Sequence, residues 1–151
     1  MVLQTYQGIV QQIIDTLKAD ADLATPSKVK QYFFGEPKDP QQIKQFPVIY
    51  VQFSRREGTG IADTAKYEYI LTFDIGIIGR AIKEDTAEKE VYDFINEVDS
   101  ILDLDANLTL SGKVAKRRLA REVEIARPAI PGMEDWAITW ANITHRVVIY
   151  E

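Results

Sequence analysis

The chain has no cysteine and a single histidine, His145. The absence of thiols excludes a disulfide scaffold, thiolate and iron–sulfur metal sites, and cysteine catalysis. A metal site usually wants more than one strong ligand, and a catalytic imidazole wants a nucleophile or carboxylate set beside it. His145 alternates in line with Ile143 and Val147 and so reads as a structural strand residue. Long apolar runs are also missing. No stretch of about 18 apolar residues occurs, so no membrane contact is expected. The first apolar run, Ile9 to Leu17, is broken by Gln11, Gln12 and Asp15 and has no basic flank, which does not fit a signal peptide. There is no phosphate-loop motif, and Gly58-Thr59-Gly60 is too short to replace one. No serine sits in a Gly-x-Ser-x-Gly turn. The triplets Asn107-Leu108-Thr109 and Asn142-Ile143-Thr144 read as chance matches to the glycosylation pattern. No catalytic residue, metal ligand or cofactor is therefore expected, and the chain is not expected to be an enzyme.

What remains is a chain of 151 residues with 46% hydrophobic content, enough for one domain with its own core. Lys and Arg number 18 against 23 Asp and Glu, a formal charge of -5. That acidic balance argues against nucleic-acid binding by the whole surface, though not against a local basic patch.

The spacing of Tyr6, Ile9, Val10, Ile13, Ile14 and Leu17 predicts an amphipathic helix over 5–19, which Pro26 prevents from continuing. A strand is expected over 28–34, ending in the turn-rich stretch 35–40, and a second over 48–53. Residues 55–66, with two glycines and several charges, read as a long hairpin loop that is mobile in the isolated chain. From 67 to 78, Tyr67, Tyr69, Leu71, Phe73, Ile75 and Ile77 alternate with mostly smaller or polar residues, the clearest strand in the chain. Asp74 within it would face water, a partner or a cation, or simply lie on an exposed face. A second helix is expected from Asp85, with Asp85 and Glu88 as a capping box and Val91, Phe94, Ile95, Val98, Ile101 and Leu102 as its buried stripe. Residues 84–105 carry nine acids against one base, either a solvated face or an acidic docking surface. The last third predicts a hairpin of strands 114–126 and 136–150. Between them lies a proline-bearing loop, 127–135. Ile130 and Met133 on it either contact another protein or fold back on the core. Together these elements predict an α+β fold: one domain, a single mainly antiparallel sheet of about five strands, two helices packed on one face, and long hairpin loops.

Six basic residues fall within 113–127: Lys113, Lys116, Arg117, Arg118, Arg121 and Arg127. Three readings stand: contact with phosphates, pairing with the acidic helix of a neighbouring identical subunit, or an intramolecular or solvated face. The interface candidates are Glu88, Asp93 and Glu97 on the acidic side and Lys116, Arg117, Arg118 and Arg121 on the basic side.

The chain resembles the tail terminator (tail completion) family of tailed bacteriophages. The resemblance rests on the N-terminal amphipathic helix, the Gly-Glu-Pro-Lys-Asp-Pro loop at 35–40, and Pro-Val-Ile-Tyr-Val at 47–51. It extends to the long strand leading into the acidic helix over 67–104 and the final strand over 140–149. It spans nearly the whole chain but is one of element order and texture. It implies a virion protein at the neck end of the tail, assembled in the host cytoplasm. A homo-oligomeric ring, usually hexameric, would cap the finished tail tube, stop its polymerisation and offer the surface for head joining. The implied partners are copies of itself, the tail tube protein, head-completion or neck proteins, and a sheath protein, with DNA passing through the channel unread. The contact candidates are then Arg55, Arg56, Thr59 and Ile61 in one loop and Ile130 and Met133 in the other. A head-completion or neck connector is the nearest alternative. A small ferredoxin-like ligand-binding domain and a nucleic-acid-binding module are further ones.

Overall fold

The computed structural model describes residues 2–23, 28–39, 41, 43–61 and 66–151, with side chains from residue 6 onward. Pro26, Pro40 and residues 62–65 of the expected hairpin loop lie outside the described residues. The elements are α1 (Val2–Lys18), β1 (Gln31–Phe34), β2 (Val48–Ile61), β3 (Tyr67–Ala81), α2 (Glu84–Leu102), a 3-10 turn (Asp105–Asn107), β4 (Glu122–Ala126) and β5 (Ala137–Tyr150). The strands form one sheet in the order β1-β2-β3-β5-β4. β1 runs parallel to β2 and every other pair is antiparallel. The fold is α+β, as the pattern of elements predicts.

Period-two alternation decides which side of the sheet is which. Ile49 and Val51 of β2, Leu71, Phe73, Ile75 and Ile77 of β3, and Ala141, Ile143, Val147 and Ile149 of β5 all point to one face. Both helices cover that face. α1 contributes Ile9, Val10, Ile13, Ile14 and Leu17, and α2 contributes Val91, Phe94, Val98, Ile101 and Leu102. Tyr6 extends the α1 stripe by stacking on Phe53 at 4.3 Å, and Phe53 meets Phe73 edge-on at 5.5 Å. Close approach of α2 needs a residue without a Cβ at Gly79, where a methyl would sit 2.6 Å from Val91.

The opposite face is only partly covered. Ile43 and Phe46 from the β1–β2 connection and Ile130 and Met133 from the β4–β5 connection pack on Val48, Tyr50, Ile78, Ile138 and Trp140. The Tyr50 ring lies flat across Gly76, and the Trp140 indole donates to the Tyr50 hydroxyl at 3.1 Å. Burial pushes that phenol's pKa up. Beyond this small second core the outer face is polar apart from the Ile70–Val148 pair. Asp74 there accepts hydrogen bonds from Gln52 and Asn142, each at 3.4 Å, so it sits on a half-exposed face within a polar ladder.

Four expectations need correction. The stretch 55–61 is not a loop: β2 runs on to Ile61 and pairs with β3, bulged between Phe53 and Arg55 and between Gly58 and Gly60. Its side chains are exposed on both faces, so no apolar alternation marks it. The capping box does not form. α2 begins at Glu84 after Lys83, with no side-chain cap, and Asp85 faces Lys89 one turn on. The strand expected over 114–126 shortens to Glu122–Ala126, preceded by a turn in which Leu110, Ser111 and Gly112 all take positive φ. β1 is confined to four residues and pairs parallel, because the connection through 35–47 crosses the outer face and returns the chain in the same direction.

Candidate assembly surfaces

β2 and β3 stay paired out to Ile61 and Tyr67, with β5 alongside β3 to Tyr150; the outer end of this strand pair, from Arg55 in β2 and up to Thr72 in β3, is called the arm. Arg55, Arg56, Thr59 and Ile61, expected in a loop, stand on this arm as paired strand residues opposite Thr72, Leu71 and, for Ile61, Tyr67. Arg55 pairs with Glu57 at 2.8 Å. Arg56 donates to the Tyr6 hydroxyl at 3.2 Å and lies over the Tyr69 ring at 4.9 Å, so it braces the arm against the start of α1. Thr59 donates to Glu68 at 2.7 Å. Towards the tip, Ile61 is 68% exposed and its cross-strand partner Tyr67 54% exposed. The end of β5 is held alongside by paired backbone bonds between Tyr67 and Glu151, and half-exposed Tyr150 stands opposite Glu68. Two glycines and two bulges twist the strand, and charges line it, which discourages indiscriminate edge pairing while leaving apolar groups at the end.

The basic stretch 113–127 meets the acidic helix within the same chain. Lys116 pairs with Asp105 at 3.0 Å, and Arg118 donates to the Asp103 carbonyl at 2.8 Å. Arg117 reaches Glu68 on β3 at 3.4 Å. Arg127 bonds Glu88, which also accepts from Tyr92, and these two donors hold the Glu88 carboxyl below its usual range. The deepest of these is Arg121, whose side chain is 10% exposed. It pairs with Asp99 at 3.4 Å and Asp103 at 2.9 Å and donates from Nε to His145 Nδ1 at 2.9 Å. His145 is therefore a neutral imidazole with its proton on Nε2, and burial followed by the Arg121 charge pulls its pKa down to about 3. Of the three readings of the basic stretch, the chain realises the intramolecular one for these pairs. Asp99, Asp103 and Glu68 were not among the predicted site residues. The i, i+4 spacing of Asp99 and Asp103 on the α2 side facing β5 was the available signal.

Asp93 and Glu97 are not reached by that stretch. They line an open groove of about 440 Å³ with Asp22, Lys28, Glu90 and Phe94. Burial first, then Asp20 and Asp22, raise the Glu97 carboxyl, and burial raises Glu90. Asp20, Asp22 and Glu97 are the one group of carboxylates among the described residues close enough to share a cation.

The loop 127–136 folds back rather than outward. Met133 is buried and Ile130 half-buried in the second core, so of the two readings of this loop the chain adopts the one that folds back. Two prolines and Gly132 shape the loop, and the backbone bonds Met133 to Ile130 and Trp136 to Met133 close it on itself. Trp136 is the loop's exposed apolar residue, stacked on the Arg80 guanidinium at 4.3 Å, whose other side lies over Phe46 at 4.4 Å.

No family model matches the chain, and no curated protein matches it. Among solved structures, a chain from a structure titled "Virion of native gene transfer agent (GTA) particle" is similar, at 13% identity and a TM-score of 0.42 over 92% of each chain. A likeness that distant fixes neither fold nor role.

Proposed function

We propose that the protein is a structural component of a phage-type tail: a terminator whose copies close into a ring, six in the usual arrangement, on the end of the tail tube. In that position it stops tube polymerisation and offers the surface for head–tail joining. The observation that carries the reading is the β2–β3 arm. It is a hydrogen-bonded strand pair braced through Arg56, Tyr69 and Tyr6, ending in exposed Ile61 and Tyr67. Exposed apolar and aromatic groups at the end of a hydrogen-bonded strand pair suit contact with a partner protein rather than with a metabolite. The partners in this reading are copies of the chain, the tube protein, head-completion or neck proteins and a sheath protein. DNA would pass through the channel without being read.

Subunit contacts follow from which charges remain accessible. Arg121 is enclosed and Glu88 is held by Arg127 and Tyr92, whereas Asp93, Lys116, Arg117 and Arg118 keep enough exposure to meet a neighbour. Glu97 would join them from the groove beside Asp93. Tube elongation tests the proposal. Purified tube protein polymerising in the presence of this chain should stop at shorter lengths as the chain is added. Growth unaffected by saturating protein contradicts the role.

A further inference from the structure

Residues 115–121 carry no helix or strand, yet they lie against the edge of β5, where the Ala115 N–H donates to the Val148 carbonyl at 2.8 Å. Lys116, Arg117 and Arg118 anchor them through exposed contacts with Asp105, Glu68 and the Asp103 carbonyl, and Arg146 of β5 donates to the Ala120 carbonyl through an exposed bond at 3.5 Å. Contacts of that kind hold little against solvent. The enclosed anchor is Arg121, which ties this segment to α2 through Asp99 and Asp103 and to β5 through His145.

The bond to His145 has a strict requirement. Its Nδ1 accepts the Arg121 proton, and only a neutral imidazole has a lone pair there. A proton at Nδ1 would set two donors head to head and place a second cation beside the guanidinium. The charged groups facing His145 are Arg121 from the segment and Asp103 from α2, with Asp99 behind Arg121, while β3 presents the uncharged Phe73 opposite it.

We propose that Arg121, Asp99, Asp103 and His145 form an acid-released clasp, in which protonation of His145 frees residues 115–121 from α2 and β5 while the helices and sheet stay folded. An imidazolium at 145 can satisfy Asp103 itself and so displace Arg121. The sign follows from linkage. Folded His145 holds its proton only near pH 3, whereas an opened one takes it at the ordinary 6.5. Each unit of falling pH below about 6.5 therefore makes opening about tenfold easier, until the closed state titrates too.

The absence of cysteine permits a clean probe. Ala120 is exposed, so Ala120→Cys carries a single spin label next to Arg121. Label mobility and far-UV circular dichroism are followed together from pH 7 to pH 3.5. The clasp requires mobility to rise before helix signal is lost and to reverse on neutralisation. It also requires His145→Gln, whose amide accepts from Arg121 without titrating, to remove that early rise. Mobility and helicity changing together, or a glutamine variant behaving like the parent, overturns the proposal. Should that variant not fold, the NMR titration of the chain's single histidine in the unsubstituted protein decides. Titration coinciding with the mobility change supports the clasp, and an imidazole titrating near 6.5 while the label stays immobile refutes it.

Discussion

Gly76 shows how one residue sets the outer core. A Cβ there would lie 1.9 Å from the Tyr50 ring, and the ring is itself fixed by Trp140. Gly76→Ala is therefore expected to destabilise the protein by about 1–3 kcal/mol, the usual cost of forcing extra volume into a packed site. Thermal unfolding measures it, and an unchanged midpoint would mean the ring moves freely. The character of His145 as a structural strand residue was legible from alternation with Ile143 and Val147. Its partner was not. Arg121 stands beside it only because the chain before β4 leaves regular strand geometry after a turn of three positive-φ residues, which residue type alone does not announce. The side Met133 takes is open in sequence for a similar reason. A proline-rich loop looks exposed in sequence, and only the second apolar face formed by Val48, Tyr50 and Ile78 gives it a place to bury.

At the scale of elements, the legible ones bury one face and expose the other. α1, α2, β3 and β5 follow their 3.6- and two-residue periods, and the inward residues found are largely those the periods pick out. Ile13, fully buried on the inner face of α1, shows the energetic side of that pattern. Ile13→Ala should cost about 2–5 kcal/mol by chemical denaturation. A cost below 1 kcal/mol would mean that α1 is not held by its stripe. The outer half of β2 was illegible because strand pairing with β3, not burial, holds it straight. β4 was overextended because Ala115 and Leu119 continue an alternation that the backbone does not follow. Shortening the arm from both strands, by removing 59–68 and joining the paired Gly58 and Tyr69 through a tight turn, should leave the helical signal intact and abolish tube binding. Loss of fold would show that the arm is part of the core, and binding that survives would show that the contact lies elsewhere.

For the molecule as a whole, the segregation of helices and strands was enough to anticipate an α+β sheet with both helices on one side. The parallel placement of β1 was not, since it depends on a connection packing across the outer face through Ile43 and Phe46. The partner of the basic stretch stays open in sequence between phosphates, a neighbouring subunit and the chain itself. The acidic helix and the basic stretch attract each other, and proximity in one chain lets them pair within it. Exposed pairs of this kind contribute little to stability. Reversing Arg117 and Arg118 to Glu should therefore leave the monomer folded while impairing ring closure, read by light scattering with tubes present. Unchanged assembly would remove these residues from the interface. The ring itself is tested most directly by electron microscopy of purified tail tubes mixed with this protein. The account predicts a closed ring of density on tube ends, lost when the arm is shortened. Bare ends at saturating concentrations of folded protein would contradict it.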